Sequence, residues 1–417
     1  MTILFIVLAC LFGLMMTWSV GANDLANIMS TTLGSRSVTI RNAIIIAIIF
    51  EFAGAFLGGS GVSHTLRDGI INTQLLIDTP NILLYGMLAV LLSATTWMLI
   101  ASYFGLPVSV TNATVGAIVG FGSIVLGVHA MHWKQVIYIA ISWVSSPLIA
   151  GILAYLLFIN IQRLILIQSE PFVHAKRYAP IYLFVVGIIL SLMVLVKGLK
   201  HFHIVVTPLT NFVMTLGTAF VVTLIGSWVI QSVKLPSGTR RLHAQFIATE
   251  KVFAILMALT ACAMVFAHGS NDVAIAVGPM AEVITIATSG EKAVLTSALP
   301  AWIVFLGASG VIVGLLMYGR KVIETVGHGI TTLTPSRAFS ATIAAASTVV
   351  VSTSFGIPVS ATQTLIGAIF GVGLARGIDS LNLRVVRNIF TSWIITLPIG
   401  AGLAIMLYYL FHIIFGA

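Results

Sequence analysis

Two four-residue segments place ionisable chemistry inside membrane-grade hydrophobic sequence. Gly21-Ala22-Asn23-Asp24 and Gly269-Ser270-Asn271-Asp272 each follow an apolar run and set an amide beside a carboxylate. A carboxylate at the centre of a bilayer helix costs roughly 2.5–3.5 kcal/mol on insertion scales, so two in matching contexts mark function. The leading glycine permits each helix to unwind and free backbone carbonyls. Carboxylate, amide and carbonyl oxygens together suit a hard cation such as sodium, with Asn23, Asp24, Asn271 and Asp272 as its ligands. One such pair could simply cap a half-helix. Its duplication argues for more.

A second pair of motifs suits an anion. Pro107 and Pro358 stop the preceding helix, Ser109 and Ser360 stand where the next would begin, and Thr111 and Thr362 fall in its first turn. Free amides, small hydroxyls and the positive helix end make an anion site, which Asn112 and Gln363 extend. Glycines at 116, 120, 367 and 371 recur four apart, a spacing that admits a close helix neighbour. Neither motif contains Arg or Lys, so dipoles, hydroxyls and co-bound cations would have to hold the anion. Glu51, in the apolar run IIIAIIFEFAGAFLGG, is a candidate proton or cation ligand or part of a gate. His268 precedes the second Asn-Asp segment and has no counterpart at Val20, which gives it an outer role at best. His129 and His132 lie near a segment end and read as interfacial.

These residues need a membrane to position them. The chain has 417 residues, of which 59% are hydrophobic and 7% charged, with mean hydropathy +1.11. Soluble domains carry about 25% charged residues, so the composition implies an all-α polytopic membrane protein. The net charge of +9 is scattered through short polar gaps rather than gathered on a nucleic-acid face. By the positive-inside rule Arg36, Arg41, Lys234, Arg240, Arg241 and Lys251 mark cytoplasmic loops, and both termini are expected on the non-cytoplasmic side of the cell membrane. No basic residue precedes the apolar run 3–20, which reads as a retained helix rather than a signal peptide. Cys10 and Cys262 sit in apolar runs and suit buried side chains, with no metal-ligand spacing around them. Walker, HExxH and GxSxG signatures with plausible partners are missing, which argues against an enzyme. Without a nucleotide-binding domain, driving energy would come from an ion gradient.

The chain repeats itself. Phe104–Gly120 (FGLPVSVTNATVGAIVG) and Phe355–Gly371 (FGIPVSATQTLIGAIFG) agree at ten of seventeen positions. The offset is 251 from Pro107 to Pro358, 248 from Asn23 to Asn271 and 250 from Trp143 to Trp393, which indicates duplication. We read an N-terminal repeat over 1–160, linking segments and a cytoplasmic loop over 161–246, and a C-terminal repeat over 247–417. About twelve crossings are expected. Segments 108–128 and 360–375 are short and follow a proline, so they are expected as re-entrant or broken helices lining a protected cavity. An inverted relation between the repeats is favoured, because it sets the two Asn-Asp segments face to face at the midplane.

With both motifs duplicated, the chain resembles the inorganic phosphate transporter family, which includes bacterial phosphate permeases and animal sodium–phosphate symporters. The similarity extends through Tyr318-Gly319-Arg320-Lys321-Val322-Ile323, Leu333-Thr334-Pro335-Ser336 and Arg387-Asn388-Ile389-Phe390. The resemblance implies a homodimeric cation-coupled symporter with inverted repeats, taking up phosphate between two re-entrant hairpins. Asn23, Asp24, Asn271 and Asp272 would hold sodium as co-substrate, and Ser109, Thr111, Ser360 and Thr362 would hold phosphate. The Gly-Ala-Asn-Asp form and Phe50-Glu51 look more like the sodium-coupled branch. Asn112 and Gln363 depart from the His found after the hairpin threonine in many relatives, so proton coupling or sulfate as cargo stays open. An anion channel is the rival of a different class, and the duplicated acidic segments speak against it.

Overall fold

The computed structural model describes the chain except residues 59–68, 73–78, 202–206, 236–240, 290–299, 355–356, 358 and 417. Arg240, Phe355, Gly356 and Pro358, used in the sequence reading, therefore lie outside the described residues. The N-terminal half runs through α1 (Thr2–Val20), α2 (Ala26–Gly34), α3 (Ile40–Gly58), α4 (Pro80–Tyr103), α5 (Val110–Phe121) and α6 (Trp133–Ile161). Helices α7 (Pro171–His201) and α8 (Pro208–Gln231) form a linking pair. The C-terminal half follows with α9 (Arg241–His268), α10 (Ala274–Ser289), α11 (Ala301–Tyr318), α12 (Arg320–Glu324), α13 (Pro335–Ser354), α14 (Ala361–Ala375) and α15 (Leu383–Phe415).

Among the described residues nine helices are long and apolar enough to cross a membrane, rather than about twelve. Two physical reasons account for the difference. The apolar runs either side of the second Asn-Asp segment join into one continuous stretch, Leu242–Thr288, of 47 residues. Helices α5 and α14, with 12 and 15 residues, are too short to span about 30 Å, as their proline-led starts indicate. The outer surfaces fit the membrane assignment. Val144 on α6 is 71% exposed and Ile394 on α15 is 72% exposed, and apolar faces of that kind belong against lipid.

The two halves clasp each other. Helix α5 of the first half packs on α15 of the second, and α14 of the second packs on α6 of the first. The four-residue glycine spacing makes this possible. A Cβ on Gly120 would lie 2.5 Å from the Ala401 Cα, and one on Gly371 would lie 2.0 Å from the Gly151 carbonyl oxygen. Such backbone-to-backbone approach is how membrane helices gain dispersion contact without a hydrophobic drive. Side chains fasten the clasp: Ser93 donates to the Gly400 carbonyl at 2.8 Å, and Trp97 Nε1 donates to Thr396 Oγ1 at 2.7 Å.

Candidate substrate and cation site

Each Asn-Asp segment sits in a widened turn of an unbroken helix. Gly21–Leu25 and Gly269–Val273 are single π-helical turns, and α1 passes through the first into α2 as α9 passes through the second into α10. The expectation of unwound helices with free carbonyls is thereby corrected. Apolar sequence on both sides keeps the helices hydrogen-bonded, and the extra residue per turn re-aims the Asn and Asp side chains instead. The glycines serve close packing here. A Cβ on Gly21 would lie 1.8 Å from the Val311 carbonyl oxygen, and one on Gly269 would lie 2.3 Å from that of Glu51.

Neither Asn-Asp pair caps its own helix. The first pair holds the turn between α4 and α5. Asn23 Nδ2 donates to Ser102 Oγ at 2.9 Å and to the Leu106 carbonyl at 3.0 Å, while Asn23 Oδ1 accepts from the Val108 amide at 3.0 Å. Asp24 Oδ2 accepts from the Val110 amide at 3.1 Å. Asp24 Oδ1 accepts from the Thr362 hydroxyl of the opposite half, so one carboxylate joins both hairpins. Gly105, at φ +68, makes the left-handed turn ahead of Pro107, whose carbonyl accepts from Trp393 Nε1 at 3.0 Å. In the second half Asn271 Nδ2 donates to the Val359 carbonyl at 3.0 Å and to Asp272 Oδ1 at 2.6 Å.

The hairpin serines are helix caps, as their position predicts. Ser109 Oγ accepts from the Asn112 amide at 3.4 Å, and Ser360 Oγ accepts from the Gln363 amide at 3.1 Å. A hydroxyl that accepts from an amide keeps its own hydrogen to donate, so capping and anion binding are compatible. Two amides that the sequence offers to an anion, those of Val108 and Val110, are instead taken by Asn23 and Asp24.

Several buried polar atoms here have no hydrogen-bond partner among the described residues: Thr111 Oγ1, Asn112 Oδ1, Gln363 Oε1, Asn27 Oδ1 and Asn271 Oδ1. Buried polar groups in this state indicate a missing ligand or water. The amide oxygens suit a hard cation and the threonine hydroxyl suits an oxyanion. Asn112 and Gln363 also border an apolar cavity of about 750 Å³ between α6, α14 and α15, walled by Trp143, Phe370, Phe390 and Trp393. No Lys or Arg is among the described buried residues, which agrees with an anion site built without a cationic clamp.

Glu51 is fully buried, and its Oε1 lies 2.7 Å from His268 Nδ1. His268 Nε2 in turn lies 3.3 Å from Asp272 Oδ2. His268 stands four residues before Asp272, one helical turn away, a spacing that sets it against the carboxylate rather than in an outer role. Asn27 stands one turn after Asn23. It donates to the Thr362 carbonyl at 3.5 Å and so joins the hairpin contact.

Spanning helices, two short hairpin helices at the protein's centre and a buried polar cluster fit a membrane transporter. The model of the phosphate transporter family matches residues 20–404. A protein of Haemophilus influenzae, named there as a candidate phosphate permease, is 45% identical over 408 residues, covering 98% of this chain and 97% of that one. The chloroplastic inorganic phosphate transporter 2-1 of Arabidopsis thaliana is 35% identical over 438 residues, covering 96% of this chain and 71% of that one. A solved structure described as the sodium-dependent phosphate transporter superposes with a TM-score of 0.88 at 35% identity, covering 98% of this chain and 99% of that chain. The chain belongs to the phosphate transporter family.

Proposed function

We propose that the protein is a secondary symporter that imports inorganic phosphate with sodium by alternating access. The observation that carries this reading is Asp24, which accepts from the Val110 amide of one hairpin and the Thr362 hydroxyl of the other. A cation arriving at Asn23, Asp24, Asn271 and Asp272 would share these carboxylate and amide oxygens with the hairpins, linking ion occupancy to hairpin position. Phosphate would meet Ser109, Thr111, Ser360 and Thr362 at two helix N-termini, with Asn112 and Gln363 beside them. With no cationic side chain at the site, sodium supplies the attraction, and its departure releases the anion.

The topology supports inverted repeats. If the α4–α5 hairpin returns to the face it entered from, α1 and α9 cross in opposite directions. Arg36, Arg163, Lys176, Arg177, Lys234, Arg320, Lys321, Arg376 and Arg387 then share one face, which the positive-inside rule makes cytoplasmic. Both termini fall on the other side, as expected for a protein of the cell membrane, and its assembly is proposed to be a homodimer.

The test is radiolabelled phosphate uptake into proteoliposomes under sodium, potassium and proton gradients, with unlabelled sulfate as competitor. The reading requires saturable uptake that depends on sodium and ignores sulfate. Uptake driven by protons alone, or abolished by sulfate, would replace the coupling ion or the cargo. Non-saturable flux would favour a channel.

A further inference from the structure

The two halves pack alike but differ chemically beside their Asn-Asp turns. In the first half the backbone of Gly21 meets Val311, and Gly314 meets the Trp18 carbonyl; in the second Gly269 meets Glu51, and Gly54 meets the Phe266 carbonyl. These contacts make Val20 and His268 equivalent, and Val311 and Glu51 equivalent. One Asn-Asp turn is therefore backed by two valines and the other by a buried histidine and glutamate. The helix crossing does not need a polar pair, because valines fill the same place across the pseudo-symmetry. Charged side chains inside a membrane protein are costly and are retained for function.

We propose that His268, oriented by Glu51, is a positioning residue for Asp272 and makes the second cation site inequivalent to the first. Glu51 Oε1 fixes the imidazole through Nδ1 at 2.7 Å, and Nε2 then lies 3.3 Å from Asp272 Oδ2, an ion-pair approach without hydrogen-bond alignment. Asp24, by contrast, is oriented by the hairpins themselves, through Val110 and Thr362. The Asp272 turn thus carries a scaffold contact through His268 that the Asp24 turn, backed by valines, does not.

This inference rests on the sodium-coupled reading, so sodium dependence of wild-type uptake is established first. Its absence would overturn that reading and this inference with it. The informative variant copies the first half into the second, Glu51→Val with His268→Val. Partners that orient metal ligands are worth about 10- to 100-fold in affinity. The sodium concentration for half-maximal uptake should therefore rise by about that factor. The phosphate KM at saturating sodium should hardly move. Glu51→Gln keeps an acceptor for Nδ1–H and should recover most of the sodium affinity; His268→Gln, which cannot bridge both partners, should not. These single variants carry the comparison should the double variant fail to purify as a monodisperse protein. Unchanged sodium activation in E51V/H268V, or equal movement of the sodium and phosphate constants, would overturn the proposal. So would a Glu51→Gln variant as impaired as His268→Gln.

Discussion

Replacing Thr362 by Val removes one hydroxyl and leaves the shape of the side chain almost unchanged. That hydroxyl donates to Asp24 Oδ1 across 338 positions of sequence, and both residues are buried. A hydrogen bond to a charged group contributes about 1.5–3 kcal/mol, and an abandoned buried acceptor adds desolvation cost. At about 1.4 kcal/mol per decade, the coupled state should weaken about 10- to 150-fold. The helix itself should survive, because its cap is Ser360 Oγ on the Gln363 amide and does not involve the Thr362 side chain. The assay is phosphate uptake into proteoliposomes against sodium concentration, with monodispersity and thermal unfolding as folding controls. T362V should need far more sodium for half-maximal uptake, and T362S, which restores the hydroxyl, should return toward wild type. A folded T362V protein with wild-type sodium activation would refute the reasoning, as would a T362S protein no better than T362V.

Asp24→Asn should lower sodium-dependent uptake at least tenfold, because the amide lacks the charge that attracts the cation and keeps one acceptor oxygen where the Val110 amide and the Thr362 hydroxyl each meet one. Sodium titration of uptake alongside thermal unfolding separates this loss from misfolding. Gly269→Ala would place a Cβ 2.3 Å from the Glu51 carbonyl oxygen and should destabilise the protein by about 1–3 kcal/mol, read as a lower Tm. Gly217→Ala is its control, since nothing lies within 4 Å of that position, and its Tm should hold or rise. Trp393→Phe removes the donor to the Pro107 carbonyl and should cost about 0.5–1.5 kcal/mol, visible in thermal unfolding.

The sequence marked what repeats locally. The proline-led hairpin starts, the serine caps and the glycine spacing are each contained in a few neighbouring residues and occur twice, so pattern alone located them. Contacts between distant segments were illegible. Nothing in the run around Glu51 names His268, 217 positions away, and nothing near Thr362 names Asp24. The π-helical turns escaped notice for another reason. Glycine is compatible with both an unwound break and a widened turn, and the choice was made by the Val311 and Glu51 backbones packed against Gly21 and Gly269. The nine spans among the described residues reflect helix continuity, which hydropathy alone does not reveal, as at Leu242–Thr288.

The central claim is that sodium at the Asn-Asp turns supplies the attraction that no cationic side chain provides. Thermodynamic linkage makes it measurable at equilibrium, because an ion that favours phosphate binding must itself be favoured by phosphate. The direct measurement is the phosphate Kd of the purified protein as sodium replaces potassium at constant ionic strength. The account predicts a Kd that falls steeply with sodium and loses most of that dependence in Asp24→Asn. A phosphate Kd indifferent to sodium would contradict it.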